Sequence, residues 1–157
     1  MRGASTAERM EIIEIVQALA SCDAVDDVVR VLASATRKHV GADGATVVMR
    51  DGDRSRYLEE DAIGALWKGR DFPLDECISG WAMRNGEQVV VPDVREDPRI
   101  PLRLYEATFV RSLVMTPIEC AGEIVPYVEV ELASAERELF ESQVLLDEKK
   151  IDGAAGR

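Results

Sequence analysis

Apolar side chains recur at helical spacing over the first forty residues and then switch to strand-like alternation. The series Met10, Ile13, Val16, Ala20 predicts an amphipathic helix over about residues 6–20 with a charged opposite face, and Ser5-x-x-Glu8 supplies a capping box at its start. A second stripe, Val25, Val28, Val29, Leu32, Thr36 and Val40, predicts a helix that starts at Asp23 and carries Asp26 and Asp27 in its first turn. Arg37, Lys38 and His39 suit the negative end of its dipole, and Gly41 is placed as the cap beyond it. The β-branched run Ala45–Met49, closed by Asp51-Gly52-Asp53 and followed by Ser55–Leu58, then reads as a hairpin.

The middle of the chain is less regular. A helical turn is expected at Asp61–Trp67, followed by an irregular excursion around Gly69 and Pro73. A short helix at Ser79–Arg84 is ended by Asn85-Gly86, and a strand at Gln88–Val91 is stopped by Pro92-Asp93. Turn chemistry at Asp97–Pro101 leads to a helix at Leu102–Phe109 and a strand at Ser112–Ile118. After a turn at Ala121-Gly122, Ile124–Leu132 alternates Tyr127, Glu129 and Glu131 with Val128, Val130 and Leu132, which predicts one apolar and one wet face. Pro126 has no N–H for a ladder, so this strand is expected at a sheet edge or bulged near its start. A polar helix from about 133 to 150 and a frayed tail at 151–157 complete an α+β domain with an antiparallel sheet.

Length fits one domain over residues 1–157, with a core at about 10–132. The formal charge of −11 disfavours a nucleic-acid or anionic-membrane partner. No apolar run approaches the roughly 18 residues of a membrane span, and residues 1–10 lack a signal-peptide core, so a cytoplasmic location is expected. Cys22, Cys77 and Cys120 are too scattered for a disulfide framework or a Cys-x-x-Cys zinc site. One histidine, His39, excludes two-histidine metal centres, and the acidic groups Asp75-Glu76 and Asp93, Glu96, Asp97 read as turn and surface residues without a calcium-loop pattern. No catalytic residue and no metal ligand are assigned.

Five segments carry a family resemblance: Val40-Gly41-Ala42-Asp43-Gly44-Ala45-Thr46, Cys77-Ile78-Ser79-Gly80-Trp81-Ala82, Val91-Pro92-Asp93-Val94, Asp97-Pro98-Arg99 and Ser112–Ile118. In this order, over about residues 10–120, they resemble a GAF domain, most of all the GAF sensory modules of bacterial two-component histidine kinases, with Asp61–Gly69 adding to the match. Glu123–Val130, with its proline, departs from the family pattern. The resemblance implies a GAF-like, PAS-related fold: a central antiparallel sheet of five or six strands, terminal helices on one face, and loops and short helices on the other.

It also implies a non-enzymatic sensory or regulatory role, with a small-molecule pocket under the middle loops and terminal helices that couple to a kinase or other signalling output. Pocket candidates are Trp67, Phe72, Cys77, Trp81, Tyr105, Phe109 and Met115, whose simpler use is core packing. Arg84, Arg99, Arg103 and Arg111 offer local positive charge, more simply a solvated, salt-bridged surface. The cofactor, if any, is left unknown. A covalent bilin is not expected, because no Cys-His pair exists, and the cyclic-nucleotide signature Asn-Lys-x-x-x-Phe-x-x-x-Asp-Glu is absent.

The alternative is a redox-active thiol enzyme or sensor resembling free methionine sulfoxide reductase. Its Gly-Val-Cys-Gly and Ala-Cys-Asp motifs are missing, and Pro101-Leu102-Arg103 stands where a second loop cysteine belongs. A seam of Ala135, Leu139, Val144, Leu146 and Ile151 suggests a homodimer through the terminal helices.

Overall fold

A computed structural model of the chain describes residues 4–120 and 123–134. Helix α1 (Thr6–Ala20) opens on the expected capping box: the Ser5 hydroxyl accepts from the Glu8 N–H at 3.2 Å and the Glu8 carboxylate accepts from the Ser5 N–H. Helix α2 (Val25–Val40) ends at Gly41 in the left-handed region, with a φ of 67°, as its sequence predicts. Its start differs from expectation, because Ala24 rather than Asp23 is the N-cap and no side chain caps it.

Six antiparallel strands follow: β1 (Gly44–Asp51), β2 (Arg54–Ala62), β3 (Asp71–Pro73), β4 (Val89–Val91), β5 (Ser112–Cys120) and β6 (Glu123–Leu132). They form one sheet in the order β3-β2-β1-β6-β5-β4. Helix α3 (Ile78–Asn85) lies between β3 and β4 in the chain, capped at its end by Gly86. Consecutive residues of a strand point to opposite faces, so Val47 and Val48 separate the two layers. Val47 joins Val29 and Ala33 of α2 in one small cluster, whereas Val48 joins the large core with Ile78 and Ala82 of α3.

Pro126 does not put β6 at an edge. This strand runs between β1 and β5. Its ladder with β1 stops at Met49 opposite Pro126, and its register with β5 shifts between Pro117 and Glu119, which leaves one extra residue on β6. The bulge beside Pro126 lets a residue without an N–H enter an interior strand.

Two expected helices are absent. Residues 61–67 continue β2 to Ala62 and then bend, and between Pro101 and Val110 only one 3₁₀ turn forms, at Leu102–Leu104. Phe72, expected in an irregular excursion, lies on β3 instead. The polar helix at 133–150, its apolar seam and the tail fall outside the described residues, so the shared face of the terminal helices concerns α1 and α2 alone.

The first helix corrects another expectation. No residue of α1 is buried, and the series Met10, Ile13, Val16 faces solvent, with Val16 58% exposed. The half-buried Ile15 meets α2 instead, sharing a groove with Val31 and Ala35. His39 approaches Glu11 at 3.3 Å and ties the two helices together.

Candidate functional site

Helix α3 and the segments 63–70 and 92–111 cover the sheet face opposite α2. Segment 63–70 is ordered by Glu60, whose carboxylate accepts from the N–H groups of Leu66, Trp67 and Lys68 at 2.8–3.1 Å. This seats Trp67 in the core, where its ring meets Tyr105 at 4.9 Å and Tyr57 at 5.5 Å and its indole N–H donates to the Leu104 carbonyl. Phe72 lies edge-on to Tyr57, and Met115 is fully buried on β5 opposite Glu129. Helix α3 is held down by hydroxyls: Ser79 bonds Ser55 and Tyr57, and the Tyr127 hydroxyl donates to the Ala82 carbonyl.

The seven pocket candidates therefore lie in or against one core cluster, but only some line open space. Tyr105 and Phe109 line a cavity of about 390 Å³ with Val94, Leu102, Val110 and Ala133. Cys77 and Trp81 line a separate one of about 270 Å³ between α3 and residues 98–103, where Arg99 stacks over the Trp81 ring at 4.9 Å. Trp67, Phe72 and Met115 line neither. The arginines are largely matched: Arg99 pairs with Asp97, Arg103 with Glu76 and Arg111 with Asp93. Asp93 departs from its expected surface role, being buried and bound by both Nε and Nη2 of Arg111, which holds its carboxyl below the usual range.

The larger correction concerns the wet face assigned to β6. Glu129 and Glu131 are both 0% exposed and point into the loop-side layer. Thr46 donates to Glu131 Oε1 at 2.7 Å, and the Tyr105 hydroxyl reaches Glu129 Oε1 at 3.5 Å. Neither Oε2 has a hydrogen-bond partner among the described residues. Such an atom typically costs about 1–3 kcal/mol. Burial raises the Glu129 carboxyl to about 8, and burial plus the neighbouring Glu129 raises Glu131 well above the ordinary range. Burial, then Glu129, also raises the hydroxyls of Tyr57 and Tyr105.

Gly44 makes room for this arrangement. A Cβ there would lie 2.8 Å from Glu131 Oε2 and 3.0 Å from the Phe109 ring, so the carboxylate and the ring are neighbours, and any larger residue would displace the glutamate side chain. Sequence alternation alone marks Glu129 and Glu131 as sharing a side with Tyr127. The signal that could have placed that side inward is Tyr127 itself, since an aromatic in register with two carboxylates sits poorly on a solvated face.

Cys77 is the N-cap of α3, its sulfur accepting from Ser79 Oγ at 3.2 Å and Gly80 N at 3.4 Å. Cys22 follows α1 on the other side of the sheet and donates to the Ala18 carbonyl, so these two thiols do not meet. Among the described residues no three His, Cys, Asp or Glu side chains converge as metal ligands, and no helix is long and apolar enough to cross a membrane.

A family model described as GAF domain matches residues 24–142. The chain belongs to the GAF domain family. Solved GAF structures agree in fold at low identity. The GAF domain from Acinetobacter phosphoenolpyruvate-protein phosphotransferase superposes with a TM-score of 0.72 at 15% identity, covering 91% of this chain and 89% of that one. Free methionine-R-sulfoxide reductase from Neisseria meningitidis, in complex with its substrate, gives 0.68 at 16% identity over 86% and 80%. The A. aeolicus nlh2 GAF domain in an inactive state gives 0.68 at 20% identity over 86% and 85%. No curated protein matches the sequence significantly. These neighbours include an enzyme, the reductase, as well as GAF domains of other proteins, and at these identities they establish the GAF fold alone.

Proposed function

We propose that this GAF domain is a non-enzymatic sensory module that binds a small molecule on the loop face of its sheet and passes its occupancy to a signalling output, in two-component-type transduction a kinase. The observation that carries this reading is the polar interior of that face: two buried carboxyls with free oxygens lie beneath Tyr105 and Phe109, which line the cavity of about 390 Å³. Packing alone favours apolar groups there. Binding sites are where such local cost is retained.

Transmission follows from the strands. A ligand that binds one loop arrangement better than another shifts their populations by that difference in affinity. The same β1 that presents Thr46 to Glu131 presents Val47 to α2, so a shift on one face is felt by the helices on the other. The exposed apolar series of α1 supports dimerisation through the terminal helices. Against the thiol-enzyme alternative stands the separation of Cys22 from Cys77 by the sheet, together with the lack of any cysteine in residues 92–111.

Native mass spectrometry of the purified protein, compared with its denatured mass, tests the reading. A retained molecule that is lost on denaturation is the expected result. Turnover of free methionine sulfoxide by the protein with a thiol reductant would overturn the non-enzymatic assignment.

A further inference from the structure

On the reading that the loop face is a ligand site, the geometry points to a small organic cation with an ammonium group as its ligand, held by Glu129 and Glu131 beneath Tyr105 and Phe109. The placement comes from β6. Glu129, Glu131 and Ala133 follow one another at every second residue; Ala133 lines the cavity of about 390 Å³, Glu131 stands one position deeper and Glu129 two. Phe109 forms the partition at Glu131, since a single point beside Gly44 lies within 3.0 Å of both, and the Tyr105 hydroxyl reaches Glu129. Both rings also line the cavity, so they stand between it and the carboxyls, and on this proposal the ligand reaches Glu131 and Glu129 by displacing them.

The charge pattern selects the ligand class. The groups that act on the two carboxyls are Tyr105 from the covering segment, Thr46 from β1, Tyr57 and Glu60 from β2 and one another. No lysine or arginine is among them. The arginines that do line the outer cavity are Arg95 and Arg111, the latter bound to Asp93. At the depth of the two carboxyls an anion would meet no lysine or arginine, whereas an ammonium group offers three N–H donors to the free oxygens, with aromatic faces to either side of it. Binding then expels the protons that keep the buried pair neutral, because the ion pair forms with the carboxylate rather than the acid.

Butylammonium and putrescine serve as probes, with n-butanol as the uncharged counterpart of similar size. Calorimetric titration at pH 7.5 in two buffers of different ionisation enthalpy is expected to give saturable binding of a cation with proton release, no binding of n-butanol, and at least tenfold weaker binding in Glu131→Gln. Glu129→Gln provides a second variant, and circular dichroism confirms that each folds. Equal binding of n-butanol, or cation affinity unchanged in both variants, overturns the assignment. So does an uncharged or anionic molecule retained in native mass spectrometry, which leaves the sensory reading standing. A protein that binds no probe and retains no molecule takes down both.

Discussion

The two faces of the sheet are built to different rules. Under α2 the buried cluster is small and wholly apolar, Val29, Ala33 and Val47, with Leu32 and Leu58 at its margin. Across the sheet, the loop face packs aromatic rings and aliphatic chains around Ser55, Tyr57, Ser79, Tyr105, Glu129 and Glu131, a set of groups that needs partners when dry. Apart from Glu59, buried opposite Val47 and paired with Lys68, the helix face is what hydrophobic burial alone would make. The loop face carries two buried carboxyl oxygens that have no partner among the described residues, and that difference is what makes it the candidate site.

The largest effect that would sharpen the contrast lies at Gly80 on α3. A methyl group there would sit 1.9 Å from the Leu74 carbonyl oxygen and 2.4 Å from its Cα, both backbone atoms that cannot swing aside. Gly80→Ala is expected to cost about 3 kcal/mol or more, read by urea unfolding. On the helix face, Ala33→Gly removes one methyl and changes helix propensity, a loss of about 1–2 kcal/mol. Equal losses at the two positions would remove the claim that the loop layer is the more tightly constrained.

The buried carboxyls set the next effect. A group whose folded pKa is raised contributes stability that is complete below its unfolded value and is lost as pH rises to the folded one. For Glu129 that window runs from the ordinary glutamate range, near about 4.3, up to about 8. Stability is therefore expected to fall between pH 5 and 8, with a limiting slope of about 1.4 kcal/mol per pH unit for each such carboxyl. Glu129→Gln should flatten that decline without touching the acid limb, where protonation of Asp93 and loss of its bond to Arg111 destabilise the fold at low pH. Parallel curves for the wild type and the variant between pH 5 and 8 would mean that the loop face is no more electrostatically stressed than the helix face.

How much of this was legible in the chain follows the same division. Elements with a local cause could be read: the capping box at Ser5, the left-handed glycines that end α2 and α3, and the turn at Gly52. Elements that depend on distant partners could not. Residues 61–67 have helical composition, yet Glu60 captures the N–H groups of Leu66, Trp67 and Lys68 that a helix would have used. Alternation along β6 showed which residues share a side, but which side is dry is decided by the segments folded over it. The candidate aromatics were found because large rings are seldom left outside. The two glutamates were missed because carboxylates usually are.

The smallest expected effect on unfolding belongs to α1, where the contrast between faces reaches its outer limit. Ile13 and Val16 are 49% and 58% exposed on a helix with no fully buried residue, so Ile13→Ser with Val16→Ser removes little packing within one molecule. Serine has nearly the helix propensity of either residue, and the stability of the monomer should stay within about 0.5 kcal/mol. Association is where the change should appear. Two copies that pair through the Met10, Ile13, Val16 series would bury the surface that α2 leaves uncovered, and a two-fold contact places the same residues on both partners. Light scattering over a concentration series is expected to give a dimer for the wild type and a monomer for the double variant. A wild type that stays monomeric throughout would assign the exposed series to some other surface, and the helix face would then have no part in pairing.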